Sequence, residues 1–163
     1  MPIEIREATP REHERAGEVT AAAYREFARG DDWHRYLDMI ADVSGRADRT
    51  TILVAVDDGR IVGSATLELS GRTEDDDPPL EPGESHIRML GVAPDARRRG
   101  IARGLMLACL ERAREAGKVF MTLHTTPMME AAQRMYESLG FVRGEDRVFP
   151  DGFVLLSYRK EPI

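Results

Sequence analysis

Met89-Leu90-Gly91-Val92-Ala93-Pro94-Asp95-Ala96-Arg97-Arg98-Arg99-Gly100-Ile101-Ala102-Arg103-Gly104-Leu105 reads as a strand, a basic turn and the first turn of a helix. His86, Arg88, Leu90 and Val92 alternate with Ile87, Met89 and Gly91, the two-residue period of a half-buried strand. Pro94-Asp95 breaks that pairing. From Ile101 a wide apolar stripe runs through Leu105 and Ala108 or Cys109, with Ala102, Met106, Leu110 and Ala113 beside it. Gly117 suits the position just past the end of such a helix.

Arg97, Arg98, Arg99 and Arg103 crowd the helix start, where the macrodipole already places positive potential. Each misplaced cation costs roughly a few tenths of a kcal/mol, up to about 1. A bound polyanion removes the conflict: first-turn N–H groups, a glycine that blocks nothing and nearby guanidinium groups form a phosphate cradle. The bland alternative is a solvated basic turn with Asp95 as the helix cap. No lysine followed by Ser/Thr completes a nucleotide P-loop, and Gly100-Ile101-Ala102-Arg103-Gly104 does not complete a dinucleotide fingerprint.

Upstream, Ile3 and Ile5 predict a short strand. Thr9 as N-cap, Pro10 at the first helical position and Glu12 predict a helix start. Val19, Ala22, Ala23, Tyr24 and Phe27 form its stripe, and Gly30 ends it. A second helix, from about Asp31 to Val43, carries Trp33, Tyr36, Leu37 and Ile40 at helical spacing. Trp33 and Tyr36, with Asp31 and Asp32, are candidates for lining a substrate cleft, although such aromatics more often enter the core. Thr51 to Val56 and Ile61 to Leu69 predict two strands joined by the hairpin turn Asp57-Asp58-Gly59-Arg60, with Gly63 marking a bulge or close packing. Ser70 to Gly83, containing Glu74-Asp75-Asp76-Asp77-Pro78-Pro79, reads as an acidic solvated loop.

Downstream, Val119 to Leu123 predicts a strand. A helix from Pro127 or Met128 to Leu139 follows, with Ala132, Met135, Tyr136 and Leu139 on one side and Gly140 ending it. Phe141-Val142 starts a strand, Asp146 to Asp151 is a turn region, and Phe153 to Tyr158 is the last strand. No repeat and no long linker divides the chain, so one domain over residues 1–163 is expected. Strands alternating with helices, together with hairpin signals, predict a mixed α/β sheet.

The composition is that of an ordinary globular protein, 42% hydrophobic and 32% charged. A net charge of -6 weighs against a general nucleic-acid binder, whose footprint is basic, but leaves room for a local basic site. Cys109 is the only cysteine and falls on the helix stripe, as a small core residue does. The first residues carry no signal-peptide core, and no apolar run approaches the ~18 residues a membrane span requires. A cytoplasmic protein is expected.

Arg97-Arg98-Arg99-Gly100-Ile101-Ala102 resembles the Arg/Gln-x-x-Gly-x-Gly/Ala signature of the GCN5-related N-acetyltransferase (GNAT) superfamily. Ala131 to Phe141 resembles that family's second block, which ends Ala-x-x-x-Tyr-x-x-x-Gly-Phe, and it follows the first by one strand. The resemblance implies a mixed α/β fold with a centrally splayed sheet of about six to seven strands flanked by about four helices. It implies acetyl-CoA as co-substrate and no metal. The pyrophosphate is then held by Arg97, Arg98, Arg99, Gly100, Ile101, Ala102 and Arg103, and a backbone N–H of Leu90 or Val92 polarises the thioester, with Gly91 easing the strand distortion. Tyr136 is the donor to the leaving sulfur. Two departures stand out: Met129 where many relatives have an asparagine, and His86 where similar strands often carry glutamate.

The implied reaction is direct acetyl transfer to a primary amine, with no covalent enzyme intermediate. A lysine-like amine with pKa ~10.4 is only about one part in 2,500 neutral at pH 7, a deficit of roughly 4–5 kcal/mol. His86 is chemically suited as base, with Glu68 and Glu84 as rivals. The acceptor, a small molecule or a peptide amine, is left open, and so is a homodimer. The competing class is a non-catalytic acyl-CoA-binding or regulatory module that uses Tyr136 as structure.

Overall fold

A computed structural model describes residues 2–27, 33–71 and 78–163. Its strands are β1 (Glu4–Glu7), β2 (Thr51–Asp57), β3 (Arg60–Glu68), β4 (Glu84–Val92), β5 (Phe120–Thr125), β6 (Val142–Arg143), β7 (Arg147–Val148) and β8 (Val154–Lys160). The α-helices are α1 (His13–Arg25), α2 (Trp33–Ala41), α3 (Ile101–Glu115) and α4 (Glu130–Ser138). The sheet order is β1-β2-β3-β4-β5-β8-β6, with β7 also on β8. β4 and β5 are parallel and joined through α3, and the other pairs are antiparallel. The expected mixed α/β architecture is therefore present. The two-residue β7 falls where a turn was expected: its Arg147 and Val148 are exposed, so no burial pattern announced it.

β2 and β3 are buried on both faces, which is why β2 runs apolar without alternation, while β3 also buries Ser64, Thr66 and Glu68. Asp58 (φ 49°) and Gly59 (φ 79°) make the expected hairpin turn. At Gly63 an added Cβ would lie 3.1 Å from both Ile101 Cγ2 and Leu105 Cδ1, so this glycine lets α3 sit tight on the sheet. The predicted α3 stripe is the buried one, Ile101, Leu105, Met106, Cys109, Leu110 and Ala113. Burial pushes the Cys109 thiol up to about 12, leaving a packing residue.

The predicted start of α1 is a 3-10 turn at Pro10–Glu12, where Thr9 N–H donates to Glu12 Oε1 at 2.8 Å. α1 ends at Arg25. Gly30, Asp31, Asp32 and the acidic run from Glu74 to Asp77 lie outside the described residues. α2 buries Ile40 fully, whereas Trp33 and Tyr36 keep partial exposure and do not enter the core. No helix among the described residues is long and apolar enough to cross a membrane.

The sheet opens in its middle. β4 pairs with β5 only from Glu84/Phe120 to Ile87/Leu123, and β4 then continues to Val92 with no strand on that side. At the same point its register against β3 shifts between the Thr66/Arg88 and Ser64/Gly91 pairs, and Met89 takes φ 53°. A methionine in the left-handed region carries strain of order 1–3 kcal/mol, so the distortion sits at Met89 rather than at Gly91. Gly91 answers a different need: a Cβ there would lie 3.1 Å from Thr20 Cα and Ala23 Cβ, on α1.

Candidate active site

The basic turn folds as a 3-10 turn (Pro94–Ala96), an extended Arg97, a left-handed Arg98 (φ 65°) and a left-handed Gly100 (φ 75°) that caps α3. Asp95 is not the cap; it pairs with Arg60 at 2.9 Å. Gly100 brings no side-chain cap, and from Arg97 to Arg103 no backbone N–H finds an acceptor among the described residues. The arginines are less available than their sequence suggests. Arg97 pairs with Glu26, Arg99 with Asp57 at 2.8 Å, and Arg103 donates to Ser138 Oγ at 3.0 Å. Arg98 has no polar partner among the described residues. What the turn offers an anion is therefore mainly a fan of backbone N–H groups, reached freely at Gly100, where an added Cβ would meet nothing within 4 Å.

Beside the opening between β4 and β5 lies a cavity of about 400 Å³. His86, Arg88, Met89, His124, Thr125 and Thr126 line it together with Tyr24, Trp33, Tyr36, Phe149 and Phe153. His86 is buried, and Thr122 Oγ1 lies 2.7 Å from its Nδ1. Thr122 Oγ1 also donates to Glu84 Oε2 at 2.6 Å. A hydroxyl has one proton, and an ionised carboxylate only accepts, so Thr122 must accept from His86 Nδ1–H. That fixes the ring tautomer and leaves the Nε2 lone pair with no hydrogen bond among the described residues. Burial, then His124 and Arg88, lower the His86 pKa to about 3. Glu68 sits opposite His86 in the β3–β4 register, 2% exposed and 3.9 Å from Arg88 Nε. Glu84 is already held by Thr122 and by the Glu81 N–H at 2.9 Å.

Tyr136 is buried against Phe141 and Tyr158, with ring centroids 6.1 and 5.8 Å away. Its hydroxyl makes no hydrogen bond among the described residues, whereas Tyr158 donates to Glu137 Oε1 at 3.1 Å. Burial raises the Tyr136 phenol well above its ordinary value, further from a thiol than reference values imply. Burial also raises Tyr24, and neighbouring Tyr36 and Tyr136 add to that shift. Three contributors were missed in the sequence. Gln133 Nε2 donates to the carbonyls of Thr126 and Pro127, both at 3.2 Å, and so holds the loop that leads into α4. Thr126, 7% exposed, has a hydroxyl with no hydrogen-bond partner among the described residues. Phe149 and Phe153 come from a segment without periodicity, and only their pairing across the last turn brings them to the cavity.

The sequence profile of the acetyltransferase (GNAT) family matches residues 12–141. This chain belongs to the GNAT acetyltransferase family. Mycothiol acetyltransferase of Thermobispora bispora is 36% identical over 85 residues, 52% of this chain and 28% of that protein. The Nocardiopsis dassonvillei enzyme of the same name is 39% identical over 72 residues, 43% of this chain and 22% of that protein. The chain thus spans about a quarter of these curated relatives. Among solved structures, yncA of Salmonella typhimurium, determined with its cofactor acetyl-CoA, superposes with a TM-score of 0.73 at 20% identity, covering 99% of this chain and 94% of that one. A GNAT-family chain of Desulfovibrio desulfuricans gives 0.74 at 18% identity, covering 98% and 99%. At such identities the likeness is one of fold. No group of three or more His, Cys, Asp or Glu side chains among the described residues is placed to hold a metal.

Proposed function

We propose that this GNAT protein transfers the acetyl group of acetyl-CoA to a primary amine, within a single domain over residues 1–163. The observation that carries the reading is the unsatisfied N–H fan from Arg97 to Arg103 at the end of a strand whose partner has splayed away. Helix N-termini of this kind bind phosphates, and the fan fits the pyrophosphate of the acyl donor. The free edge of β4 beyond Arg88 supplies backbone N–H groups for the donor, with Leu90 or Val92 polarising the thioester carbonyl. Thr126 Oγ1 is a further donor on the cavity wall.

The amine nitrogen attacks the thioester carbon; the N–C bond forms and the C–S bond breaks. One N–H proton leaves to His86 Nε2, and one proton reaches sulfur from the Tyr136 side; solvent restores both side chains. With its pKa lowered to about 3, the resting His86 is neutral and a weak base, so it takes the proton only as the N–C bond forms. Arg88 and Arg147 line the cavity and, as like charges, lower the pKa of an entering amine, which reduces the deprotonation deficit beforehand. Thr122 and Glu84 steady the ring while it is charged. Burial keeps the Tyr136 phenol protonated until the C–S bond breaks, when it gives its proton to the developing thiolate. Glu68 is buried behind His86 in the ion pair with Arg88 and has a positioning part.

Thiol release from acetyl-CoA, screened over a panel of amines, tests the proposal. Amine-dependent release of free CoA with matching N-acetylated product is expected. Saturable acetyl-CoA binding with no release for any amine would instead make the chain a non-catalytic acyl-CoA-binding module.

A further inference from the structure

Half of the chain's aromatic side chains converge on one cavity. Tyr24, Trp33 and Tyr36 form one wall, with ring centroids 6.4 Å apart for Tyr24–Tyr36 and 5.3 Å for Trp33–Tyr36, each edge-on. Phe149 and Phe153, 5.9 Å apart, form the other, and the Arg147 guanidinium stacks 4.7 Å over Phe149. Trp33 and Tyr36 are partly exposed here instead of joining the core, so these rings keep apolar area facing the cavity. The same cavity reaches His86 and the distorted part of β4, so a ligand between the rings has the reacting groups within a short arm. Its charge is also informative. In a chain of net charge -6, the charged side chains lining this cavity among the described residues are Arg88, Arg147 and Asp151. A second ammonium group would meet the Arg147 guanidinium and the Asp151 carboxylate, Arg88 being paired with Glu68, so the cavity's charge does not select a polyamine. A sugar would meet His86, Thr125 and Thr126 on part of the lining but aromatic rings on the rest.

We infer that the acceptor is an amine carrying an aromatic ring on a short arm, of the 2-phenylethylamine type, seated between the Trp33–Tyr36 and Phe149–Phe153 walls. This rests on the acetyltransferase reading of the same cavity. The skeleton occurs in free arylalkylamines and at the N-terminus of a peptide that begins with phenylalanine, and both sources present the same ring and amine.

Trp33 is the only tryptophan, so its fluorescence reports directly on the cavity without any need for turnover. The intact protein is titrated with 2-phenylethylamine, with a phenylalanine-leading tripeptide amide, with spermidine and with glucosamine, and the same amines are then assayed for thiol release. Saturable change in Trp33 emission is expected for the first two alone, and whichever of them binds more tightly identifies the source. The kcat/KM for 2-phenylethylamine should exceed that for ethylamine by tenfold or more. Phe149→Ala, or Phe153→Leu should that variant not fold, should shrink the ratio at least threefold. Binding of the aromatic amine without thiol release would uphold this inference and overturn the acetyltransferase reading. Turnover that favours spermidine or glucosamine, or shows no preference for the ring, would overturn the inference and uphold that reading.

Discussion

His86 is neutral at every pH at which such an enzyme works, because burial has lowered its pKa from the ordinary imidazole value to about 3. A sequence reading with a reference pKa near 6.5 would place an acidic limb of the pH–rate profile on this residue. The buried ring removes that limb. NMR of the imidazole should show the neutral Nδ1–H tautomer from pH 5 to 9, and a protonated ring near neutrality would contradict the hydrogen-bond chain to Glu84. His86→Ala should lower kcat roughly 10²–10⁴-fold while the remaining pH dependence keeps its midpoint, since that midpoint belongs to the amine. Tyr136→Phe retains the ring packing against Phe141 and Tyr158 and removes only the hydroxyl. Its kcat should fall over a similar span, roughly 10²-fold or more, with acetyl-CoA affinity changed by no more than about one hydrogen bond, ~0.5–1.5 kcal/mol. Near-normal kcat, with chemistry rate-limiting, would leave Tyr136 as packing. His86 and Tyr136 were singled out from their place in strand and helix, and the variants above test the roles proposed for them. Thr122 was not, since a threonine in a strand looks like any other until its neighbours across the sheet are known.

At the scale of elements, one close contact decides where the α2 side of the cavity stands. α1 and α2 meet at Gly17, where a Cβ would lie 2.0 Å from the Ala41 carbonyl oxygen. Gly17→Ala must therefore separate the helices, at about 2 kcal/mol or more, and lower Tm by roughly 4 °C or more. Because α2 carries Trp33 and Tyr36, acceptor KM should rise more than the Kd for acetyl-CoA; an unchanged Tm would refute the close approach. The start of α1 has a pH signature. Arg6, through its hydrogen bond, is the largest cause holding the Glu12 carboxyl down to about 2. A depressed carboxylate stabilises the fold above its unfolded pKa, and that stability is lost as pH falls from about 4.5 toward 2. Glu12→Gln should flatten the acid branch of the Tm–pH curve in that window, and an unaltered branch would remove Glu12 from the account. The capping signal was readable because Thr9, Pro10 and Glu12 are local in sequence. The role of Gly17 was not readable, because only the other helix explains it.

For the whole molecule, the apolar runs of β2 and β3 and the α3 stripe were enough to place the mixed sheet and its covering helices. The opening of that sheet was not derivable from periodicity: β4 alternates evenly through Met89, and the bend appears only against the register of β3. The arginine turn was singled out from the sequence by its guanidinium groups. Its side chains are largely paired with Glu26, Asp57 and Ser138, and the backbone N–H fan is what remains for a ligand. The central claim is that this fan holds the pyrophosphate of acetyl-CoA. Calorimetry of wild type and Gly100→Val with acetyl-CoA, and with S-acetylpantetheine, which lacks the pyrophosphate, tests it most directly. Wild type should bind acetyl-CoA at least tenfold tighter than S-acetylpantetheine, a difference of about 1.4 kcal/mol. In folded Gly100→Val that advantage should collapse while S-acetylpantetheine binding persists. Equal preference for acetyl-CoA in both folded proteins would contradict the claim.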